Sequence, residues 1–138
     1  MSISARNQLK GKVQSIQDGK VNAIVTLKLE DGNTVSATIS ESAVKELELI
    51  PGREAAAVIK ATEVLIGIGD LTLSARNQFA GEIVDVQEGA VNAIVTLKTE
   101  GGNNITSDIS IAAVRELGLI AGVKAKAIIK ATSIMIAV

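Results

Sequence analysis

Serine, arginine and lysine recur in this sequence at a fixed interval, and the groups they offer are nearly all hydrogen-bond donors. Ser4-Ala5-Arg6-Asn7-Gln8 returns 70 residues later as Ser74-Ala75-Arg76-Asn77-Gln78, and Ile59-Lys60-Ala61-Thr62 returns as Ile129-Lys130-Ala131-Thr132. Ser40 and its copy Ser110 each stand ahead of a short run with helical spacing. Hydroxyls, guanidinium, ammonium, amides and the free N–H groups of a helix start together suit an anion. A site built only of donors favours a fully deprotonated tetrahedral oxyanion. It disfavours one that must donate a proton, because that proton would lack an acceptor.

Each element has a plain structural reading beside the functional one. The chain has only four arginines, and Arg6 and Arg76 sit in identical pentapeptides, whereas Gln14-Ser15-Ile16 has diverged to Val84-Asp85-Val86. That contrast favours a functional role over a surface arginine kept by recent duplication. A lysine closing an apolar strand, as Lys60 and Lys130 do, ordinarily marks where the strand meets water; contact with a ligand is the alternative. Capping is the default for Ser40 and Ser110. Val21-Asn22-Ala23 returns as Val91-Asn92-Ala93 within an identical octapeptide. Alternation assigns these valines and alanines to the core. Asn is unfavourable in strands, so Asn22 and Asn92 either satisfy backbone in a tight turn or donate to a ligand.

The absences narrow the chemistry. There is no His, Cys, Trp or Tyr, and Phe79 is the only aromatic residue. This removes the usual general base near neutral pH, thiol chemistry, the N/S ligands of zinc and copper, and most platforms for stacking nucleic-acid bases. With 14 basic and 15 acidic residues the net charge is −1, so no general field attracts nucleic acid or an anionic membrane. No nucleophile is paired with a base, no metal-ligand cluster is visible, and no phosphate loop of the G-x-x-x-x-G-K type occurs. The reading is binding without catalysis and without a cofactor. Met1-Ser2-Ile3-Ser4-Ala5-Arg6 lacks an apolar signal region, and no apolar run approaches a membrane span, which makes a cytoplasmic protein the expectation.

The elements that must position these donors also come in pairs. The halves align without a gap from about residue 4 to residue 68, giving units at 1–68 and 71–138. Residues 2–16, interrupted by Gly11, read as one long or bent strand, with a bulge or sharp bend at the glycine. From Val21 the alternation is clear: Val21, Ala23, Val25, Leu27 and Leu29 face one way. Asp31-Gly32-Asn33 signals a hairpin, and the return strand points Val35, Ala37 and Ile39 inward, or Ile105, Ser107 and Ile109 in the second half. A short helix follows Ser40, with Ala43, Val44 and Leu47 on one stripe. Pro51-Gly52 is a type II turn. Strands at about 54–60 and 62–68, repeated at 124–130 and 132–138, complete a unit of five strands and one helix. Units this small bury modest cores and rely on packing against each other or on further chains.

Three spaced motifs, each occurring twice in order, make the sequence resemble one family: the molbindins, or Mop (molybdenum–pterin-binding protein) domains, in their tandem form. The motifs are Ser-Ala-Arg-Asn at 4–7 and 74–77, G-x-V-N-A-x-V at 19–25 and 89–95, and Ile-Lys-Ala at 59–61 and 129–131. The resemblance covers essentially the whole chain. It implies a mainly β architecture of two OB-like five-stranded barrels, and binding of molybdate or tungstate for storage. It also implies a homotrimer that reproduces six domains, with oxyanions at the interfaces. Carried over by motif, one kind of site combines Ser4 and Arg6 with Ser40, Lys60 and Ala61 of a neighbouring domain. Its equivalent uses Ser74, Arg76, Ser110, Lys130 and Ala131. A second kind, near the threefold axis, uses Val21, Asn22 and Ala23 with Val91, Asn92 and Ala93. Where relatives often carry a further hydroxyl, three residues beyond Ser40 and Ser110, this chain has Ala43 and Ala113. Related domains are also attached to transcription regulators and transporter ATPases, so a molybdate-responsive module acting through a partner protein is the competing reading.

Overall fold

The alternation of apolar and polar residues produces ten antiparallel strands, and the computed structural model describes them over residues 2–138. In the first half, β1 (Asn7–Asp18) turns into β2 (Asn22–Leu29) and β3 (Thr34–Ser40), followed by α1 (Glu41–Glu46) and β4 (Glu54–Ile59). A 3-10 turn at Ala61–Glu63 then leads into β5 (Leu65–Gly67). The second half repeats the order: β6 (Asn77–Glu88), β7 (Asn92–Thr99), β8 (Asn104–Ser110), α2 (Ile111–Leu117), β9 (Lys124–Ile129), a 3-10 turn at Ala131–Ser133, and β10 (Met135–Ala137). The architecture is mainly β, two curled five-stranded sheets of the OB-like kind expected.

The fifth strands are exchanged. One sheet has the order β10-β4-β1-β2-β3 and the other β5-β9-β6-β7-β8. Thus Met135, Ile136 and Ala137 pair with Val58, Ala57 and Ala56, while Leu65, Ile66 and Gly67 pair with Ile128, Ala127 and Lys126. Neither sheet is made from one repeat alone. A single core cluster runs through both halves, from Leu9, Val25 and Ile59 to Phe79, Val95 and Ile129.

Contacts between the halves are reciprocal, as a twofold relation requires. The turn at Ala61–Glu63 packs on β8, and the turn at Ala131–Ser133 packs on β3. Residues one repeat apart meet each other on this pseudo-axis. Ser133 Oγ donates to Glu63 Oε2 at 3.2 Å, and a Cβ on Gly101 would lie 2.7 Å from the Asp31 carbonyl oxygen.

Several local expectations hold. Ala23, Val25, Leu27 and Leu29 are buried, as are Val35 and Ala37. Ser107, inward by alternation, is fully buried and donates its hydroxyl to Val64 O at 2.5 Å. At Pro51-Gly52, Arg53 N donates to Ile50 O and Gly52 takes φ 94°, the geometry of a type II turn.

Four expectations are corrected. Val21 and Val91 are not core: they are 74% and 75% exposed, because each precedes its strand, and the Val21 carbonyl is turned to accept from Glu41 N. The first strand begins at Asn7, so residues 2–6 form a lead-in segment. The bulge falls between Val13 and Ser15 rather than at Gly11. Gly11 instead serves a close approach, since a Cβ there would run into the Lys28 carbonyl of β2. The expected strand at 62–68 shrinks to Leu65–Gly67, because Glu63 N turns back to Lys60 O and winds the preceding residues.

Candidate functional site

The identical Ser-Ala-Arg-Asn motifs lie where the two halves join. Asn7 is buried, and its side chain works in place of a missing strand: Thr106 N donates to Asn7 Oδ1 at 2.7 Å, and Asn7 Nδ2 donates to Thr106 O at 2.8 Å. The same Nδ2 also reaches Ile59 O at 3.3 Å. Asn77 mirrors it, accepting from Ser36 N and donating to Ser36 O, both at 2.8 Å, and reaching Ile129 O at 3.2 Å. Each motif is thereby fastened to the β3-type strand of the opposite half.

That attachment decides which donors share a neighbourhood. Asn7 pairs with Ile59 across the ladder, so Arg6 and Lys60 flank the same end of β1 and β4, facing β8. Likewise Arg76, Lys130 and Ala131 stand beside β3. The grouping within one chain therefore crosses the repeat: Arg6, Lys60 and Ala61 lie with the strand that ends in Ser110, and Arg76, Lys130 and Ala131 with the strand that ends in Ser40. Ser4, Arg6, Ser74, Arg76, Lys60 and Lys130 are exposed, whereas Ala61 and Ala131 are buried. The lead-in segments are steadied by Gln8 Nε2 donating to Ala5 O at 3.2 Å and Gln78 Nε2 donating to Ala75 O at 3.1 Å.

Ser40 and Ser110 cap their helices as expected, each Oγ accepting from the N–H of Ala43 or Ala113 at 3.1 Å. The hydroxyl proton of each remains free to donate. Asn22 pairs with Ser40, and Asn92 with Ser110, at the strand ends. In the second half it is the backbone carbonyl of Asn92 that closes the turn, accepting from Gly89 N at 2.8 Å. The side chains of Asn22 and Asn92 are exposed and make no hydrogen bond among the described residues.

One cleft brings together three of the candidate residues, Asn22, Ala23 and Arg76, but not Ser40, Ser74, Lys130 or Ala131. It has a volume of about 290 Å³ and is lined by Gln17, Asp18, Gly19, Asn22, Ala23, Ile24 and Thr38 of the first half and by Arg76 of the second. The residues seventy positions away from these are Gln87, Glu88, Gly89, Asn92, Ala93, Ile94, Asp108 and Arg6. Asn22, Ala23 and Arg76 were singled out by the sequence. Gln17 and Thr38 were not, because a lone polar residue on an alternating strand looks like any solvent-facing position. A larger cavity of about 820 Å³ lies between β1, β2, β4 and the end of β10, and none of the candidate site residues lines it. Among the described residues no group of His, Cys, Asp and Glu is placed to hold a metal ion, and no helix is long and apolar enough to cross a membrane.

Comparison with known proteins agrees with the motifs. The TOBE domain model matches twice, at residues 3–66 and 73–136. The molybdenum transport protein ModE of Azotobacter vinelandii is 37% identical over 139 residues, which cover all of this chain and 52% of that protein. The molybdenum-pterin-binding protein MopA of Rhodobacter capsulatus is 36% identical over 139 residues, 99% of this chain and 52% of that protein. The chain thus spans about half the length of these relatives. A probable molybdenum-pterin-binding protein of Haemophilus influenzae is 60% identical over 68 residues, 49% of this chain and 99% of its own length. Among solved structures, the cytoplasmic molybdate-binding protein ModG, in a form with molybdate bound, superimposes with a TM-score of 0.97 at 42% identity, covering 100% of this chain and 99% of that one. The chain belongs to the TOBE-domain family and carries that domain twice, in the tandem arrangement of the molybdenum-pterin-binding (Mop) proteins.

Proposed function

We propose that this protein binds molybdate, and tungstate in the same sites, and serves to store and buffer the oxyanion in the cytoplasm without transforming it. The observation that carries this reading is the match over the full chain to ModG, a protein with molybdate bound. The residues support it. Arg76, Thr38 and Asn22 line one cleft, and Ser40 pairs with Asn22 at the strand end beside it. The donors carried over from the motifs are Ser4, Arg6, Ser40, Lys60 and Ala61, with Ser74, Arg76, Ser110, Lys130 and Ala131. The Val-Asn-Ala segments at 21–23 and 91–93 are carried over as a second kind of site, and Asn22 and Ala23 also line the Arg76 cleft.

The assembly proposed is a homotrimer. Its support is a set of exposed apolar residues that comes in repeat-related pairs: Val21 and Val91, Ile50 and Ile120, Leu65 and Met135, Ile3 and Leu73. An apolar pattern preserved in both halves fits burial against further copies. A dianion held between subunits then stabilises the assembly by RT ln(1 + [L]/Kd) per site, which at a hundredfold excess over Kd is about 2.7 kcal/mol.

Isothermal titration with molybdate, tungstate, sulfate and phosphate tests the reading. Tight binding of the first two, above one ion per chain and blind to the others, is the expected result. A folded protein that takes up no oxyanion defeats it. A second reading, a molybdate-responsive interaction module, draws on the ModE relatives, in which the matched region is only about half of the protein. Recovery of one stoichiometric partner only in the presence of molybdate would favour it.

A further inference from the structure

The residues that line the cleft at Arg76 and their repeat equivalents around Arg6 are not the same. Of the eight lining positions, seven keep their chemistry across the repeat, with Asp18 and Glu88 the only change among them. Thr38 alone changes kind, to Asp108. The two occupy the same place: Thr38 pairs with Ile24 and Asp108 with Ile94. Each lies two residues along its strand, and so on the same face, from the residue clasped by the partner half's asparagine, Ser36 or Thr106. Asp108 is half-buried, and its Oδ1 is shut off from solvent without a hydrogen-bond partner.

Nearby charges do not offset this difference. Beside the first cleft stand Lys20 and Glu41, whose carboxylate accepts from Gly19 N at 3.1 Å; the second half has Ala90 and Ile111 instead. One charge of each sign is lost together, while the turn packed on β8 carries Glu63 where the one on β3 carries Ser133, a difference of the same sign as Asp108.

We infer that Asp108 makes the two oxyanion sites unequal, with the cleft of Arg76 and Thr38 the strong site for molybdate and its counterpart at Arg6 and Asp108 the weak one. The inference rests on the molybdate-binding reading above. A threonine hydroxyl donates to a bound dianion. A carboxylate in its place has no proton to donate, repels the dianion, and does so in a half-buried setting where water screens poorly. The affinity gap expected from one such replacement is at least ~10-fold.

The test is titration of the full-length chain with molybdate in three forms: wild type, Asp108→Thr and Thr38→Asp. The wild type should show strong and weak binding separated by at least ~10-fold. Asp108→Thr should convert weak sites to strong ones without changing the total. Thr38→Asp should convert strong to weak. Each variant installs a residue that the other repeat already carries there, and thermal unfolding confirms that it folds. Wild-type sites of a single affinity, or a weak class untouched by Asp108→Thr, overturn the inference while leaving molybdate binding intact. No heat from any of the three folded forms overturns instead the binding reading on which it stands.

Discussion

The side chain of Asn7 grips both backbone groups of Thr106, at 2.7 and 2.8 Å, as a paired strand residue would. It joins the start of β1 to the middle of β8, in the other half of the chain. Asn77 does the same at Ser36. A side-chain amide is well suited to this, because it offers one donor group and one acceptor in the spacing of a peptide unit.

Removing that amide should cost stability at the junction between halves. Asn7→Ala leaves buried carbonyl and N–H groups without partners, and the expected loss is about 2–4 kcal/mol in urea unfolding. Asn77→Asp, nearly the same shape, should be as damaging, since it removes the Nδ2 donor and sets a carboxylate against the carbonyls of Ser36 and Ile129. A loss under about 0.5 kcal/mol for both would place the junction's strength elsewhere.

Gly101 faces Asp31 across the pseudo-axis, with room for no side chain: an added Cβ would be 2.7 Å from Asp31 O and 2.8 Å from its Cβ. Gly101→Asp, which would make the two repeats alike here, should destabilise by about 1–3 kcal/mol through overlap and like charge. Adding Asp31→Gly should restore part of that loss. The coupling in a double-mutant cycle measures the contact directly, and additive effects would refute it.

The same axis bears on how halves choose partners. Two copies of the first half would set Asp31 against Asp31 and Glu63 against Glu63. The natural pairing instead gives Asp31 with Gly101 and Glu63 with Ser133. Residues 1–70 and 71–138 produced separately should therefore associate as mixed pairs in preference to pairs of the first half, as native mass spectrometry can count. Equal populations would mean that the axis contacts are too exposed to discriminate.

Ser107 tests a smaller effect. Its buried hydroxyl bonds to Val64 O, whereas Ala37 occupies the matching place in the first half. Ser107→Ala should lower stability by only about 1–2 kcal/mol in thermal unfolding. Ser107→Val should cost more, by crowding a position that is fully buried.

Much of this was readable in the amino acids because the governing forces are local. Period-two alternation from Ala23 to Leu29 reports one buried face, and the serine before each helical stripe reports a cap; both are as expected. Val21 misled because alternation has no way to mark where a strand starts. The strand exchange was illegible for a different reason. Leu65–Gly67 can pair with the edge of β4 or of β9, whose sequences Glu54–Ile59 and Lys124–Ile129 share three of six residues, all on one face. Which edge it takes depends on the path of the linker in space. At the candidate site, the duplicated arginines and asparagines were visible as repeated motifs. Thr38 and Asp108 were not, since their importance lies in the difference between two equivalent places.

The exchange of fifth strands also sets a timetable for synthesis. When β4 leaves the ribosome, the strand that will cover its edge is β10, and the whole second half must still be made before it exists. Until then the first half presents Ala56, Ala57 and Val58 on an open apolar edge, and β9, the final partner of β5, is not yet made. A nascent chain on the same messenger carries an identical β10 of its own, which can dock there first and link two chains in place of closing one. Correct assembly is thus a race between a chain finding its own last strand and finding that of its neighbour, and spacing of ribosomes on the message becomes a determinant of the product.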